Sequence, residues 1–538
     1  MAKKQSTVNR SVFLSSIAIS LVFSFVLFSC VNKQKEESEL VNYTEKGRTG
    51  RGYTLTGAIR WDAWTGDVSS GLEVQRTLSP EKYHYRLPFF AQFREGKHPL
   101  LNGTSQKIVD MEIHYAKTYG IDYWAILWYS FEMKYAREKY LQSMYRAGIS
   151  WCHLWDGNFF GDAKNESVIQ QVVDDFKKPY YVKTEDGRPV VYFFESESSW
   201  KDVIERLRVK CNNEGVPHPY IILMQFDLNT ALKNMYNFGA HAVSRYTIGA
   251  TDGIAYRMMR ENEASAWNRY MQDKNQVVPT VTTGWDTRPR YDNPVIWLPN
   301  YESMKDSWGQ QGTAEEIAAH LMDAIGFCNN NKDNSYFNSV IIYAWNENDE
   351  GGWLTPTYFE LRDAGKPLRL ETIRDRLITY KAAFTDISRS KYKRSIENTV
   401  VANVFGNIWG DKFEPEKEIS RGEFVAYLFR ALGLYAEGDY SYKNAEAWYY
   451  NELTYAGNFG LFGLKEDSFK PNVTITAGSA KEMISAACKT INKDINSYAD
   501  INVMGLKNST RLTRETCAYI IENLMETVFN LPTQPLYL

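Results

Sequence analysis

From about Thr54 to Tyr380 the chain alternates strand-like apolar runs with amphipathic helix-like segments. That order restricts it to a parallel sheet whose strands are joined by crossover helices. The strand-like runs are Leu55 to Trp61, Tyr123 to Trp128, Ser150 to Leu154, Val190 to Phe194, Tyr220 to Gln225, Ala242 to Tyr246, Val278 to Thr282 and Val340 to Trp345. Helical segments fall at Ser105 to Tyr119, Ala136 to Ala147, Glu166 to Phe176, Trp200 to Asn212, Asn229 to Phe238, Ala255 to Asp273 and Ala314 to Asn329, and a last one at Glu371 to Phe384 would close the ring. Eight strands in this order predict an α/β fold of the (β/α)8 TIM-barrel type. An active site in such a fold lies at the C-terminal ends of the strands.

Those strand ends carry the unusual residues. The eighth run passes from β-branched and aromatic residues into Trp345-Asn346-Glu347-Asn348-Asp349-Glu350-Gly351-Gly352-Trp353. Glu347 and Glu350 are close enough to serve one sugar ring with two carboxyl groups in different protonation states. The first strand ends in Trp61-Asp62-Ala63-Trp64, the second in Trp128-Tyr129, the third in Trp155-Asp156 and the fourth in Glu195. The fifth offers Gln225 and Asp227, the sixth Arg245-Tyr246, and the seventh Trp285-Asp286 with Arg288 and Arg290. Any one pair reads as well as a core aromatic beside a surface acid; their recurrence points to a cleft. The chain has 15 Trp and 36 Tyr, more than its core requires, as expected if aromatic rings also stack on sugars.

Lys and Arg number 62 against 65 Asp and Glu, which leaves no polybasic footprint for nucleic acid as a partner. The seven histidines form no ligand cluster and Cys152, Cys211, Cys328, Cys488 and Cys517 lack metal spacing. No metal, no cofactor and no disulfide framework are expected. At the N-terminus, Lys3, Lys4 and Arg10 precede an apolar run from Val12 to Phe28, the pattern of an export signal. An uncleaved membrane anchor is the alternative. A polar tether follows, to about residue 53.

Beyond about Ser390 three segments share a theme. Phe413-Glu414-Pro415 precedes Ile419-Ser420-Arg421-Gly422-Glu423, Phe469-Lys470-Pro471 precedes Ile475-Thr476-Ala477-Gly478, and a third begins at Leu512-Thr513-Arg514-Glu515. Each opens a helix with a Ser or Thr cap, so residues 389–538 are expected to form a small, mainly α-helical repeat module. The shorter second interval marks the third unit as truncated or diverged.

The motifs Ile59-Arg60-Trp61-Asp62-Ala63-Trp64, Gly120-Ile121-Asp122-Tyr123-Trp124, Gly284-Trp285-Asp286-Thr287-Arg288-Pro289-Arg290 and Trp345-Asn346-Glu347-Asn348-Asp349-Glu350-Gly351 resemble glycoside hydrolase family 99 and its family-99-like relatives. Some of those relatives were named as polysaccharide-biosynthesis glycosyltransferases. The resemblance implies a metal-free (β/α)8 domain over residues 54–388 that cleaves an α-linked, mannose-containing polysaccharide with retention. It implies Glu347 as the base toward a sugar 2-hydroxyl, which closes a 1,2-anhydro sugar, and Glu350 as the general acid/base. The substrate would be held by Trp61, Asp62, Trp64, Trp128, Tyr129, Tyr246, Trp285, Asp286, Arg290, Asn346 and Trp353. Where the family has Trp and His between its glutamates, this chain has Asn348 and Asp349. Asp349 either points inward, raising its neighbours' proton affinity, or turns away to hold the loop.

Two further resemblances concern location. Leu27-Phe28-Ser29-Cys30 resembles a lipobox, implying a lipid anchor on Cys30 and residence at the bacterial cell surface. The C-terminal repeats resemble S-layer homology domains, implying that Arg421 and Arg514 bind an acidic wall polymer and that the unit with Ala477 does not. Three classes therefore stand at this point: a surface hydrolase, a non-catalytic glycan binder, and a glycosyltransferase. Export weighs against the last, since nucleotide sugars are cytoplasmic.

Overall fold

The computed structural model describes residues 52–491 and 505–529, apart from 63, 67–68, 95–97, 129–134, 157–165, 196–199, 299 and 409. The segment expected to direct export, Cys30, the expected tether up to residue 51 and Tyr129 lie outside the described residues.

Nine strands form one sheet: β1 (Leu55–Arg60), β2 (Tyr123–Trp128), β3 (Ser150–Asp156), β4 (Val190–Phe194), β5 (Tyr220–Gln225), β6 (Ala242–Arg245), β7 (Gln276–Val277), β8 (Thr280–Thr282) and β9 (Ser339–Tyr343). Their spatial order is β8-β9-β1-β2-β3-β4-β5-β6-β7, and every neighbouring pair is parallel. The two edges of this sheet are consecutive in the chain, separated only by Val278 and Pro279. The sheet therefore curls until a single broken strand joins its edges, giving a TIM-barrel-like domain.

The seventh run, expected to be continuous from Val278 to Thr282, is interrupted. Pro279 has no N–H to donate to a ladder. Threonine side chains bridge the break: Arg245 N donates to Thr280 Oγ1 at 3.2 Å and Ile248 N to Thr282 Oγ1 at 3.1 Å. The third strand runs further than expected, to Asp156, and the last stops sooner, at Tyr343.

Aromatic residues fill the barrel more than the sequence suggested. Trp124, Trp151, Trp155, Trp200 and Trp345 are fully buried, so much of the tryptophan content serves the core rather than a cleft. At the floor, the Tyr123 hydroxyl lies 2.8 Å from that of Tyr192 and 2.9 Å from Ser339 Oγ. Gly57 makes room for that ring, since a Cβ there would come within 2.1 Å of it.

The C-terminal helices Arg421–Leu432, Ala477–Thr490 and Arg514–Phe529 are related by a cycle of backbone hydrogen bonds. Ile419 N donates to Leu512 O, Leu512 N to Ile475 O, and Ile475 N to Ile419 O. The second N–H of each helix follows the same rule: Gly422 bonds Pro471 O, Gly478 bonds Asn508 O and Glu515 bonds Pro415 O. Ile419, Ile475 and Leu512 are buried at the centre. A three-unit stack of this kind satisfies helix N-termini that would otherwise be orphaned.

This module docks beside the start of β3, at the end of the barrel opposite the strand C-termini. Lys117 Nζ donates to Ala402 O at 2.8 Å, Tyr435 N to Met144 O at 2.8 Å, and the Arg146 guanidinium lies 3.8 Å from the Tyr435 ring centroid. A Cβ on Gly433 would sit 2.9 Å from Tyr145 O, so the close approach depends on glycine.

One helix facing the barrel buries a carboxyl group. Glu263, in Tyr256–Tyr270, is wholly inaccessible, and contacts with Thr282 offset that burial only in part. Burial pushes its pKa from 4.5 to about 8. The folded state thus keeps a proton that the unfolded chain loses, so this stabilisation is complete at acid pH and fades as pH rises toward about 8. Glu263→Gln is expected to remove that slope, raising stability at pH 9 by on the order of a few kcal/mol relative to the parent. Urea midpoints at pH 5 and pH 9 check this; equal slopes in both proteins would contradict it.

Candidate active site

The segment after β9 folds into a tight return. Asn346–Glu347 pairs antiparallel with Gly352–Trp353. A single 3-10 turn, Asn348–Glu350, joins the two strands and ends at Gly351 with φ 89°. A side chain at Gly352 would meet the Tyr343 ring at 2.3 Å, so glycine lets that ring pass beneath the turn.

Both glutamates sit in this turn at the mouth of the barrel. Glu347 Oε1 accepts from the Tyr246 hydroxyl at 2.7 Å. Glu350 Oε2 accepts from the Tyr343 hydroxyl at 2.6 Å, and its Oε1 forms an ion pair with Arg290 Nη1. Tyr246 and Tyr343 touch edge to face, with ring centroids 5.1 Å apart, and Tyr246 stacks on Phe194 at 4.1 Å. Burial holds the Tyr343 phenol well above its ordinary pKa, reinforced by the glutamates, so it remains a donor.

Asp349 and Asn348 hold the loop, and the Asp349 charge also raises the proton affinity of both glutamates. Asp349 accepts from Arg290 Nε at 2.7 Å, and Asn348 Nδ2 donates to Arg86 O at 2.6 Å. Burial raises the proton affinity of both glutamates. Glu347 is lifted well above the carboxylate range, first by burial and then by the Glu350 charge. For Glu350 the Arg290 guanidinium is the largest opposing influence. Two neighbouring carboxyls with such unequal surroundings lose their protons in two separate steps.

The other residues singled out in the sequence fall into two groups. Near the glutamates lie Tyr246, Arg290 and Trp285, whose ring is 6.0 Å from Tyr343 and whose Nε1 donates to Ser307 Oγ. Trp61 joins them through Arg290, which stands 5.5 Å from its ring. Asn346 brackets Trp61, accepting from its N at 2.8 Å and donating to its O at 2.6 Å, and so acts on backbone.

The remainder are engaged elsewhere. Asp286 is almost inaccessible and its oxygens take Arg86 and Arg288, so it anchors the rim instead of facing open space. Asp62 accepts from Ala136 N at 2.9 Å and shares a small cavity with Trp64, Arg60 and Glu112. Trp128 stacks on His153 at 5.2 Å, and Trp353 is packed beneath Arg369, 3.8 Å from its ring. Tyr343, Arg86 and Arg369 had not been singled out by sequence. Among the described residues no group of three His, Cys, Asp or Glu side chains is disposed to hold a metal ion.

In the C-terminal module the two arginines differ. Arg514 is buried, donating to Phe413 O at 2.7 Å and pairing with Glu414 at 2.8 Å. Arg421 is partly exposed, donating to Ser479 Oγ at 2.7 Å and lying 5.1 Å from the Phe469 ring.

No family model matches this chain. Among solved structures it is similar to a GH99 endo-alpha-mannosidase from Bacteroides thetaiotaomicron bound to BIS-TRIS-propane, at 15% identity and a TM-score of 0.40, covering 60% of this chain and 95% of that one. A second structure of that enzyme gives 14% identity and a TM-score of 0.38, covering 60% and 96%. A surface-layer 125 kDa protein of Lysinibacillus sphaericus is 31% identical over 116 residues, which are 21% of this chain and 10% of that protein. Endo-1,4-beta-xylanase A of Thermoanaerobacterium saccharolyticum is 30% identical over 96 residues, or 17% and 8%. The matched stretches thus span a tenth or less of either curated relative.

Proposed function

We propose that this protein is an exported glycoside hydrolase that cleaves an α-linked, mannose-containing polysaccharide with retention, through a 1,2-anhydro sugar. The observation that carries the reading is the pair at the barrel mouth, the buried Glu347 beside a phenol and the partly buried Glu350 beside a phenol and a guanidinium. Such a pair supplies one proton donor and one acceptor to a single bond. The partly exposed Trp285 borders it and offers a ring face to a sugar, while the buried Trp61 backs Arg290. Incubation with a panel of α-linked polysaccharides tests the reading. New reducing ends from an α-mannan are expected, and their absence across the panel would reject it.

The reading extends to location. A lipid anchor at Cys30 would tie the protein to the membrane, with the C-terminal module directed at acidic wall polymer. The resemblance gives that role to Arg421 and Arg514 alike, but Glu414 already neutralises Arg514. The partly exposed Arg421, against the Phe469 ring of the adjoining unit, is the better candidate for a carboxylate. Arg421→Ala is therefore expected to reduce retention on isolated cell walls at least tenfold and Arg514→Ala to act mainly on stability. Equal retention by the parent and the Arg421 variant in a sedimentation assay would leave the module a packing element.

A second reading, a cell-surface glycan binder without turnover, draws on one feature. The Arg290–Glu350 ion pair opposes proton donation by Glu350.

A further inference from the structure

The roles that the resemblance assigns require Glu347 to arrive ionised and Glu350 to arrive protonated, and the contacts of these side chains favour the opposite. Glu350 is met by two donors, one of them a full positive charge: Arg290 on Oε1 and the Tyr343 hydroxyl on Oε2 at 2.6 Å. Among the described residues Glu347 receives a hydrogen bond only from a neutral phenol, Tyr246, at 2.7 Å. Arg290 cannot swing across to equalise them. Its Nε is held by Asp349 at 2.7 Å, and its short helix, Arg288–Asp292, is tied to the same loop because Asp286 N donates to Glu350 O at 2.6 Å.

We propose that Arg290, fixed by Asp349, makes Glu350 the charged member of the pair and leaves the transferable proton on Glu347, reversing the roles expected from the resembled family. The groups facing Glu347 are Tyr246, Tyr343, Glu350, Asp349 and Arg290. Of the three charges facing it, the two carboxylates repel its ionisation, and the single cation is committed elsewhere. Burial lifts both glutamates, and for Glu350 the Arg290 guanidinium opposes that rise most strongly, in agreement with this order. Asp349, where the family carries His, is the residue that distinguishes this chain: it orients Arg290 and adds negative charge next to Glu347.

This inference rests on the hydrolase reading for its chemical consequence, although the location of the proton is a property of the protein alone. In turnover, Glu350 would take the proton of the sugar 2-hydroxyl as O2 closes on C1. The bond from C1 to the leaving oxygen breaks, and that oxygen receives the Glu347 proton. Water then adds to C1 and passes its proton to Glu347, while the C1–O2 bond opens and O2 recovers its proton from Glu350. Configuration is retained and both carboxyls return to their starting states. Burial keeps Glu350 a stronger base than an ordinary carboxylate in spite of Arg290.

The test is carbon NMR of the full chain labelled at the glutamate carboxyl carbons, with Glu347→Gln and Glu350→Gln used only to assign the two signals. In the parent at pH 7 the Glu347 carbon is expected at the acid position and the Glu350 carbon at the carboxylate position. The reverse, or two signals at intermediate positions, would overturn the proposal. Arg290→Lys should preserve the order, whereas Arg290→Met should raise the Glu350 midpoint by at least one pH unit. An unmoved midpoint in Arg290→Met would show that Arg290 is structural only. None of these readings needs substrate, so failure of the hydrolase assignment would appear separately, as a lack of cleavage with the proton order intact.

Discussion

Glu350→Gln is expected to lower hydrolysis of an α-mannan by about 10²- to 10⁴-fold, the usual size of a general acid/base contribution. Glu347→Gln should be as severe, because each carboxyl handles one of the two protons that move. Both changes preserve side-chain shape. The Tyr343 and Tyr246 hydroxyls can still donate to the amide oxygen, so glycan binding should change little, while Glu350→Gln also gives up the Arg290 ion pair and should lose some thermal stability. Initial rates and binding measured on the same preparations separate the cases. Activity within about twofold of the parent in either variant would remove that glutamate from the reaction.

The second large effect is on stability. Arg290→Met should destabilise the fold by about 3–5 kcal/mol, since removing one partner of a buried ion pair leaves the other charges uncompensated. Two carboxylates are affected, Asp349 and Glu350, and Asp349 is wholly inaccessible. Adding Asp349→Asn to Arg290→Met should restore part of the loss, which a double-mutant cycle in urea would measure. A loss below about 1 kcal/mol for Arg290→Met would mean that the loop is held by Asn348 and the backbone instead.

Much of the barrel was legible because its strands are buried on both faces and read as continuous apolar runs. Tyr123–Trp128, Val190–Phe194 and Tyr220–Gln225 have the bounds that the sequence indicates. The break at Pro279 could have been read from the missing N–H of proline. The direction of side chains beyond the strand ends was not legible, because the strand period stops where the loops begin. Asp286 illustrates this: sequence places it at the mouth, but Arg86, more than a hundred residues earlier in the chain, closes over it. Tyr343 was hidden differently, as one more aromatic in a core strand, though its place next to the Trp-Asn-Glu motif was a usable signal. The C-terminal cycle was also only half visible. Three capped helices were evident, while the bonds linking Ile419, Leu512 and Ile475 join segments far apart in the chain, which the caps alone do not pair.

Retaining cleavage of an α-glycoside by Glu347 and Glu350 can be followed by proton NMR of an α-mannan digest from its first minutes. The parent protein is expected to release a new reducing end as the α anomer before mutarotation, and Glu350→Gln to release none over the same interval. A β anomer at first release, or equal cleavage by the variant, would rule this chemistry out.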